Sequence, residues 1–207
     1  MGGSCSNKST GAKSVGEMRH IEVVERFIDV LDRLGITYAI GGSMASSAYG
    51  RARFTQDADI TVQPFDHVAE EFYGLVKDEF YISEEAMREA LRTHASFNVI
   101  HFETSIKIDI FVQGPSQFEQ RLLARRRKAK LSNTGSRDLD VVSPEDIILL
   151  KLRWFDMTGR TSQRQWDDVL GVLAVQGNAL DFEYLTASAR ELGLEELFNR
   201  ARAEAET

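Results

Sequence analysis

Cysteine is almost absent from this chain: Cys5 stands alone among 207 residues. One thiol excludes an internal disulfide and any zinc cluster built on cysteines, and it fits a reducing compartment. Long apolar runs are missing too. No stretch approaches the ~18 residues that a membrane helix needs, and the first residues carry no hydrophobic signal region. The expectation is a cytoplasmic protein with no membrane partner. Basic charge is in deficit, with 25 Lys and Arg against 32 Asp and Glu, a net of −7. That excludes a protein that coats nucleic acid by bulk charge, but leaves room for a local basic patch. The four histidines, His20, His67, His94 and His101, show no metal-ligand spacing. No Walker loop, Rossmann fingerprint or G-x-S-x-G elbow occurs. With 43% apolar and 28% charged residues, the composition is that of a globular chain long enough to bury a sizeable core.

The first 17 residues, rich in Gly, Ser, Lys and Thr, have almost nothing to bury and read as a disordered tail. Gly2 with Ser6 matches an N-myristoylation pattern, and Cys5 is placed for palmitate; in a Gly/Ser-rich leader this is discounted as a chance match. From Met18 to Leu34, apolar residues recur at helical spacing up to a stop at Gly35. Thr37 to Ile40 reads as a strand, and Ser43 to Tyr49 as a short helix. Asp57 to Val62 alternates like a half-buried strand, and Phe65 to Val76 is an amphipathic helix. A strand at 79–82 and a helix over Glu84 to Arg92 follow. Phe97 to Phe102 and Ile106 to Val112 form an antiparallel hairpin around Thr104 and Ser105. Gln117 to Lys130 reads as a basic helix, and Leu139 to Val142 as a short strand. Ser143-Pro144-Glu145-Asp146 is a helix-start signal, and helices are expected at about 144–157, 162–175, 181–192 and 194–205. The organisation expected is a tail (1–17), an α/β core (18–138) and a C-terminal helical region (139–207).

Three features carry chemistry. Gly41-Gly42-Ser43 joins a strand to a helix: by itself it is more often just a turn, but glycines let backbone approach a ligand, and the helix start points free N–H groups at an anion. Asp57 and Asp59, two apart on a strand, share a face away from Ile60 and Val62. A divalent cation would relieve their mutual repulsion; the alternative, and the commoner fate of such a pair, is to decorate an exposed strand face. Asp109, inside the apolar run Ile106 to Phe111, needs a partner, and a neighbouring strand about 4.8 Å away would bring it opposite that pair. Three carboxylates converging there suit hard cations and in-line phosphoryl or nucleotidyl transfer.

Ile40-Gly41-Gly42-Ser43, Asp57-Ala58-Asp59-Ile60 and Ile108-Asp109-Ile110, in that order, resemble the signature of the nucleotidyltransferase superfamily, the DNA polymerase β-like fold. The nearest subgroup is the bacterial abortive-infection toxin-type nucleotidyltransferases, whose helical half carries a Lys on one helix and an Arg and Asp on the next. Here these fall on Lys151, Arg164 and Asp168. The resemblance covers about residues 18–205. It implies an α/β fold, a mixed sheet flanked by helices and followed by a C-terminal helical bundle. It implies transfer of a nucleoside monophosphate from an NTP, such as ATP, to an acceptor hydroxyl on RNA or tRNA, protein or a small molecule. Gly41, Gly42 and Ser43 would hold the triphosphate, with Lys151 reaching to it from the helical half. Asp57, Asp59 and Asp109 would be catalytic and would ligate two Mg²⁺, or Mn²⁺ in their place. Asp168 and Arg164 would orient Lys151 or tie the halves together. A toxin role would bring a cognate antitoxin as a partner. The alternative is a non-catalytic nucleotide- or partner-binding module of the same fold.

Other residues stay open or read plainly. Lys151 is equally a lysine snorkelling from a buried helix. Arg51 and Arg53 are either phosphate contacts or loop solvation. Residues 121–130 hold six basic side chains, which read as a solvated helix face ahead of a nucleic-acid dock. Trp154 and Trp166 read as packing groups, and His101 as a satisfied core residue.

Overall fold

The computed structural model describes residues 9–53, 55, 57–131 and 137–206. The lipidation motif at Gly2 and Cys5 lies outside them. A helix α1 (Ser9–Arg33) leads into β1 (Tyr38–Ile40), α2 (Gly42–Tyr49) and β2 (Asp57–Val62). After a 3₁₀ turn at Asp66–Val68 come α3 (Ala69–Val76), β3 (Phe80–Ile82), α4 (Glu84–Thr93), β4 (Ser96–His101) and β5 (Lys107–Val112). Then follow α5 (Gln117–Ala124), β6 (Arg127–Ala129) and β7 (Leu139–Val141). The chain closes with α6 (Pro144–Met157), α7 (Gln163–Gln176), α8 (Phe182–Glu191) and α9 (Glu195–Ala205). The expected elements are therefore present, with three differences. Helix α1 starts inside the segment expected as a tail. The expected helix at Phe65 opens as a 3₁₀ turn. The basic helix ends at Ala124, and Arg127–Ala129 leaves it to pair with β7. The ladder partner of that strand lies beyond a loop, and such distant pairing overrides local propensity.

The seven strands form one mixed sheet in the order β3-β4-β5-β2-β1-β7-β6. At its centre β2 and β5 run parallel, with Ala58 opposite Ile108 and Ile60 opposite Ile110. Because strand side chains alternate, everything in these rows shares one face. On that face lie Ala58, Ile60, Val99, Ile108, Ile110 and Phe97, all buried. Phe72 of α3 meets Phe97 at 6.5 Å edge-on and Phe27 of α1 at 5.9 Å, so α1 and α3 cover this side. The opposite face carries Asp57, Asp59, Asn98, Lys107 and Asp109. Sheet polarity thus separates a core face from a chemical face.

The C-terminal helices reach the core through α2, which packs on both α6 and α7. The approach to α7 is close: a Cβ on Gly50 would lie 2.9 Å from the Gly171 carbonyl carbon. Ser143 caps α6, its hydroxyl accepting the Asp146 N–H at 3.2 Å. Glu145 and Asp146, in the first turn of α6, are fully buried. Arg125 and Arg127 reach Glu145 at 3.3 and 3.2 Å, and the Tyr184 hydroxyl donates to Asp146 at 2.5 Å. Arg121 holds Glu191 at 2.6 Å, while Arg126 and Lys128 sit at 3.4 and 3.2 Å from Asp140. The basic run is thus engaged with acids rather than being a solvated helix face. Among the described residues no helix is long and apolar enough to cross a membrane.

Candidate active site

The turn after β1 brings backbone against a carboxylate. Gly41 donates its N–H to the Asp59 carbonyl at 2.8 Å. Gly42 opens α2 with φ +54°, and a Cβ there would lie 1.7 Å from Asp59 Oδ2. Only glycine meets both demands, the left-handed backbone and the missing side chain. The first turn of α2, whose N–H groups lack intrahelical acceptors, is thereby held beside the acidic face of β2.

Beyond that turn is a charged network that joins the two halves of the chain. Ser43, buried at the start of α2, accepts a short hydrogen bond from Arg53 Nη2 and a longer one, 3.4 Å, from Arg164 Nη2. Arg53 grips Asp168 of α7 with two bonds, Nε to Oδ1 and Nη2 to Oδ2, each 2.9 Å. Lys151 Nζ of α6 lies 2.8 Å from the same Asp168 Oδ2, with its side chain 5% exposed. Lys151 is therefore tied inward rather than snorkelling to water. Burial pulls its ammonium below the usual lysine value, and Arg53 adds to this, while the Asp168 and Asp59 carboxylates oppose it. Burial also works to raise Asp168, but its bonds to Arg53 and Lys151 outweigh this and hold its carboxyl below the ordinary range. Arg53, Lys151 and Arg164 outnumber the acids beside them, Asp168 and Asp59, and leave an excess of positive charge at the start of α2. That combination is suited to a polyphosphate.

On the acidic face, Asp59 stands directly opposite Asp109, and Asp57 opposite Lys107. Burial raises the Asp59 carboxyl, and the like charges of Asp109 and Asp57 push it further, against Lys151 and Lys107. Lys107 Nζ lies 2.9 Å from Asp109 Oδ2. Among the described residues no group of three His, Cys, Asp or Glu side chains is gathered tightly enough to hold a metal ion. The donor set nevertheless fits a hard divalent cation in kind: carboxylate oxygens on adjacent strands, under a repulsion that such an ion relieves.

Of the residues singled out in the sequence, Gly41, Gly42, Ser43, Lys151, Arg164 and Asp168 come together at one end of α2. Asp57, Asp59 and Asp109 share the adjoining face without closing into a trio. Arg53, which the sequence leaves open between a phosphate contact and loop solvation, is bound to Asp168 on a distant helix. Lys107 is the one residue of the site that the sequence reading does not name, although the alternation that places Asp109 on this face places Lys107 there too. Trp166 is packed, 5.1 Å from Phe155, but Trp154 is 49% exposed, which corrects its reading as a packing group. His101 is buried and bonded to Thr104 and Glu79 at 2.9 and 3.3 Å.

Residues 20–164 match the model of a family described as nucleotidyl transferases of unknown function (DUF2204). The chain belongs to this nucleotidyl transferase family. The match ends before Asp168 and the last two helices. Solved nucleotidyltransferases share the fold. The solution structure of the antibiotic-resistance factor ANT(2'')-Ia is 16% identical, covers 89% of this chain and 99% of its own, and superposes with a TM-score of 0.59. A crystal structure of ANT(2'')-Ia in complex with adenylyl-2''-tobramycin covers 83% and 97%, with 16% identity and a TM-score of 0.55. An antigenic nucleotidyltransferase-like protein from Paracoccidioides brasiliensis is 15% identical, covers 90% and 92%, and gives 0.53. None of the curated proteins matches the sequence.

Proposed function

We propose that this nucleotidyl transferase moves a nucleoside monophosphate from an NTP, ATP among them, to an acceptor hydroxyl. The observation that carries the reading is the Ser43–Arg53–Asp168–Lys151 network at the start of α2, set beside the carboxylates of β2 and β5 by Gly42. Ser43, Arg53, Lys151 and Arg164 would bind the triphosphate. Asp168 is a positioning residue that holds Arg53 and Lys151 in register. The acceptor oxygen attacks the α-phosphorus, the bond to the β-phosphate oxygen breaks, and pyrophosphate leaves into the cationic pocket that neutralises its charge. Asp109 would take up the acceptor proton. Asp57, Asp59 and Asp109 would hold two Mg²⁺ or Mn²⁺ ions, whose chemistry is charge neutralisation on the reacting phosphates.

The acceptor is a small hydroxylated molecule, an RNA or tRNA, or a protein. The tobramycin adduct seen with ANT(2'')-Ia makes the first of these worth testing beside the others. The last two belong with a toxin role and a cognate antitoxin. One observation favours a second reading, a non-catalytic nucleotide- or partner-binding module: the Lys107–Asp109 ion pair, which occupies one of the three carboxylates. Incubation of the chain with each α-labelled NTP, Mg²⁺ or Mn²⁺ and separate aminoglycoside, RNA and lysate fractions distinguishes the two. Label transfer that an Asp57→Ala variant lacks supports the enzyme and names the acceptor class. Nucleotide binding without transfer under either metal supports the binding module.

A further inference from the structure

Lys107 sits in the middle of the acidic face. Its Cα is the ladder partner of Asp57 on β2, and Asp109 follows two residues later on the same face of β5. Its ammonium bonds Asp109 Oδ2 at 2.9 Å, and it lies within the field of Asp57 and Asp59 as well. The side chains of the pair are 42% and 24% exposed. An ion pair this open to water adds little to stability by itself; Lys107 offsets in the free chain the same carboxylate repulsion that a divalent cation would offset. An ammonium on a four-carbon stem is also easily displaced, unlike a guanidinium locked in a bidentate fork.

From this juxtaposition we infer that Lys107 is a built-in competitor for the divalent cation: its Nζ holds Asp109, beside Asp57 and Asp59, until a metal takes that carboxylate over. The inference rests on the reading of Asp57, Asp59 and Asp109 as the metal face. While Lys107 holds Asp109, one ligand is engaged and a positive charge repels an incoming cation. Both effects weaken metal binding by the free protein. A triphosphate, with its high negative charge, draws the flexible ammonium off Asp109 and frees that ligand. Metal and nucleotide then bind together rather than the metal alone.

The test is Mn²⁺ binding without nucleotide, read from the loss of the free-ion signal in electron paramagnetic resonance. Wild type, Lys107→Met, Lys107→Arg, Asp59→Asn and the Lys107→Met/Asp59→Asn pair are compared. Methionine keeps the length and apolar stem of lysine and removes its charge. Lys107→Met should bind Mn²⁺ about tenfold more tightly than wild type, Lys107→Arg should not, and the double variant should lose the gain. If Asp59→Asn weakens binding but Lys107→Met leaves it unchanged or weaker, the metal face stands and the competitor role is overturned. If no chain binds Mn²⁺ in an Asp59-dependent way, the metal face itself is wrong and the inference falls with it. Should Lys107→Met lose its cooperative thermal transition, Lys107→Gln is read in its place against the same outcomes.

Discussion

At Gly42 one missing side chain decides the geometry of the site. An alanine there meets a φ of +54° and an Asp59 oxygen 1.7 Å from its Cβ. The left-handed backbone alone costs about 1–2 kcal/mol, and relief of the clash must move Asp59 or the turn. Gly42→Ala should therefore lower stability by more than about 2 kcal/mol in thermal unfolding, and should abolish transfer even where folding survives. Asp59 itself illustrates a site held against the interest of the fold. Burial first, then Asp109 and Asp57, raises its carboxyl above the usual aspartate value. A raised folded value means that stability is full below the unfolded value of about 4 and declines as pH rises through the folded one. Asparagine keeps the shape and does not titrate. Asp59→Asn should thus be inactive yet more stable than wild type at pH 7 and low salt, read as a higher Tm. The difference should shrink towards zero near pH 4. A lower Tm for the variant at pH 7 would show that the carboxylate is stabilised where it stands.

At the scale of elements, the site is an agreement between α2, α6 and α7. Asp168 on α7 reaches both Arg53 before β2 and Lys151 on α6. Removing this buried acid strands two cations. Asp168→Ala should cost about 3 kcal/mol and raise the KM for NTP, as Arg53 and Lys151 lose their register. A variant with unchanged stability and KM would show that the network is incidental. Much of this level was legible in the sequence. The helix-start signal at Ser143-Pro144 and the glycine stops located the C-terminal helices, because caps and punctuators act locally. The Asp57–Asp59 face followed from strand alternation, and its pairing with Asp109 from the spacing of adjacent strands. What stayed hidden depends on distant partners. Arg53 is a loop residue until Asp168, 115 positions away, is folded beside it. Arg127–Ala129 reads as helix until Leu139–Val141 arrives to pair with it. The close approach of α2 to α7 leaves only glycines, Gly50 and Gly171, as its trace in the sequence.

Over the whole molecule, charge is distributed by role. The chain carries a net −7, yet positive side chains gather where a triphosphate would lie, and acids occupy the face beside them. The basic run from Arg121 to Lys128 binds Glu145, Asp140 and Glu191, which fastens α5 and β6 to the rest of the fold. The sheet keeps its apolar face under α1 and α3, so the chemical face is left to α2 and the helices that pack on it. This division is what makes nucleotidyl transfer the central claim, and the most direct test asks which phosphate moves. The chain is incubated with Mg²⁺ and the responsive acceptor fraction, with ATP labelled either at the α- or at the γ-phosphate. The account predicts that α-label enters the acceptor, γ-label leaves as pyrophosphate, and Asp59→Asn abolishes both. Transfer of the γ-label to the acceptor, or α-label transfer that survives Asp59→Asn, would contradict it.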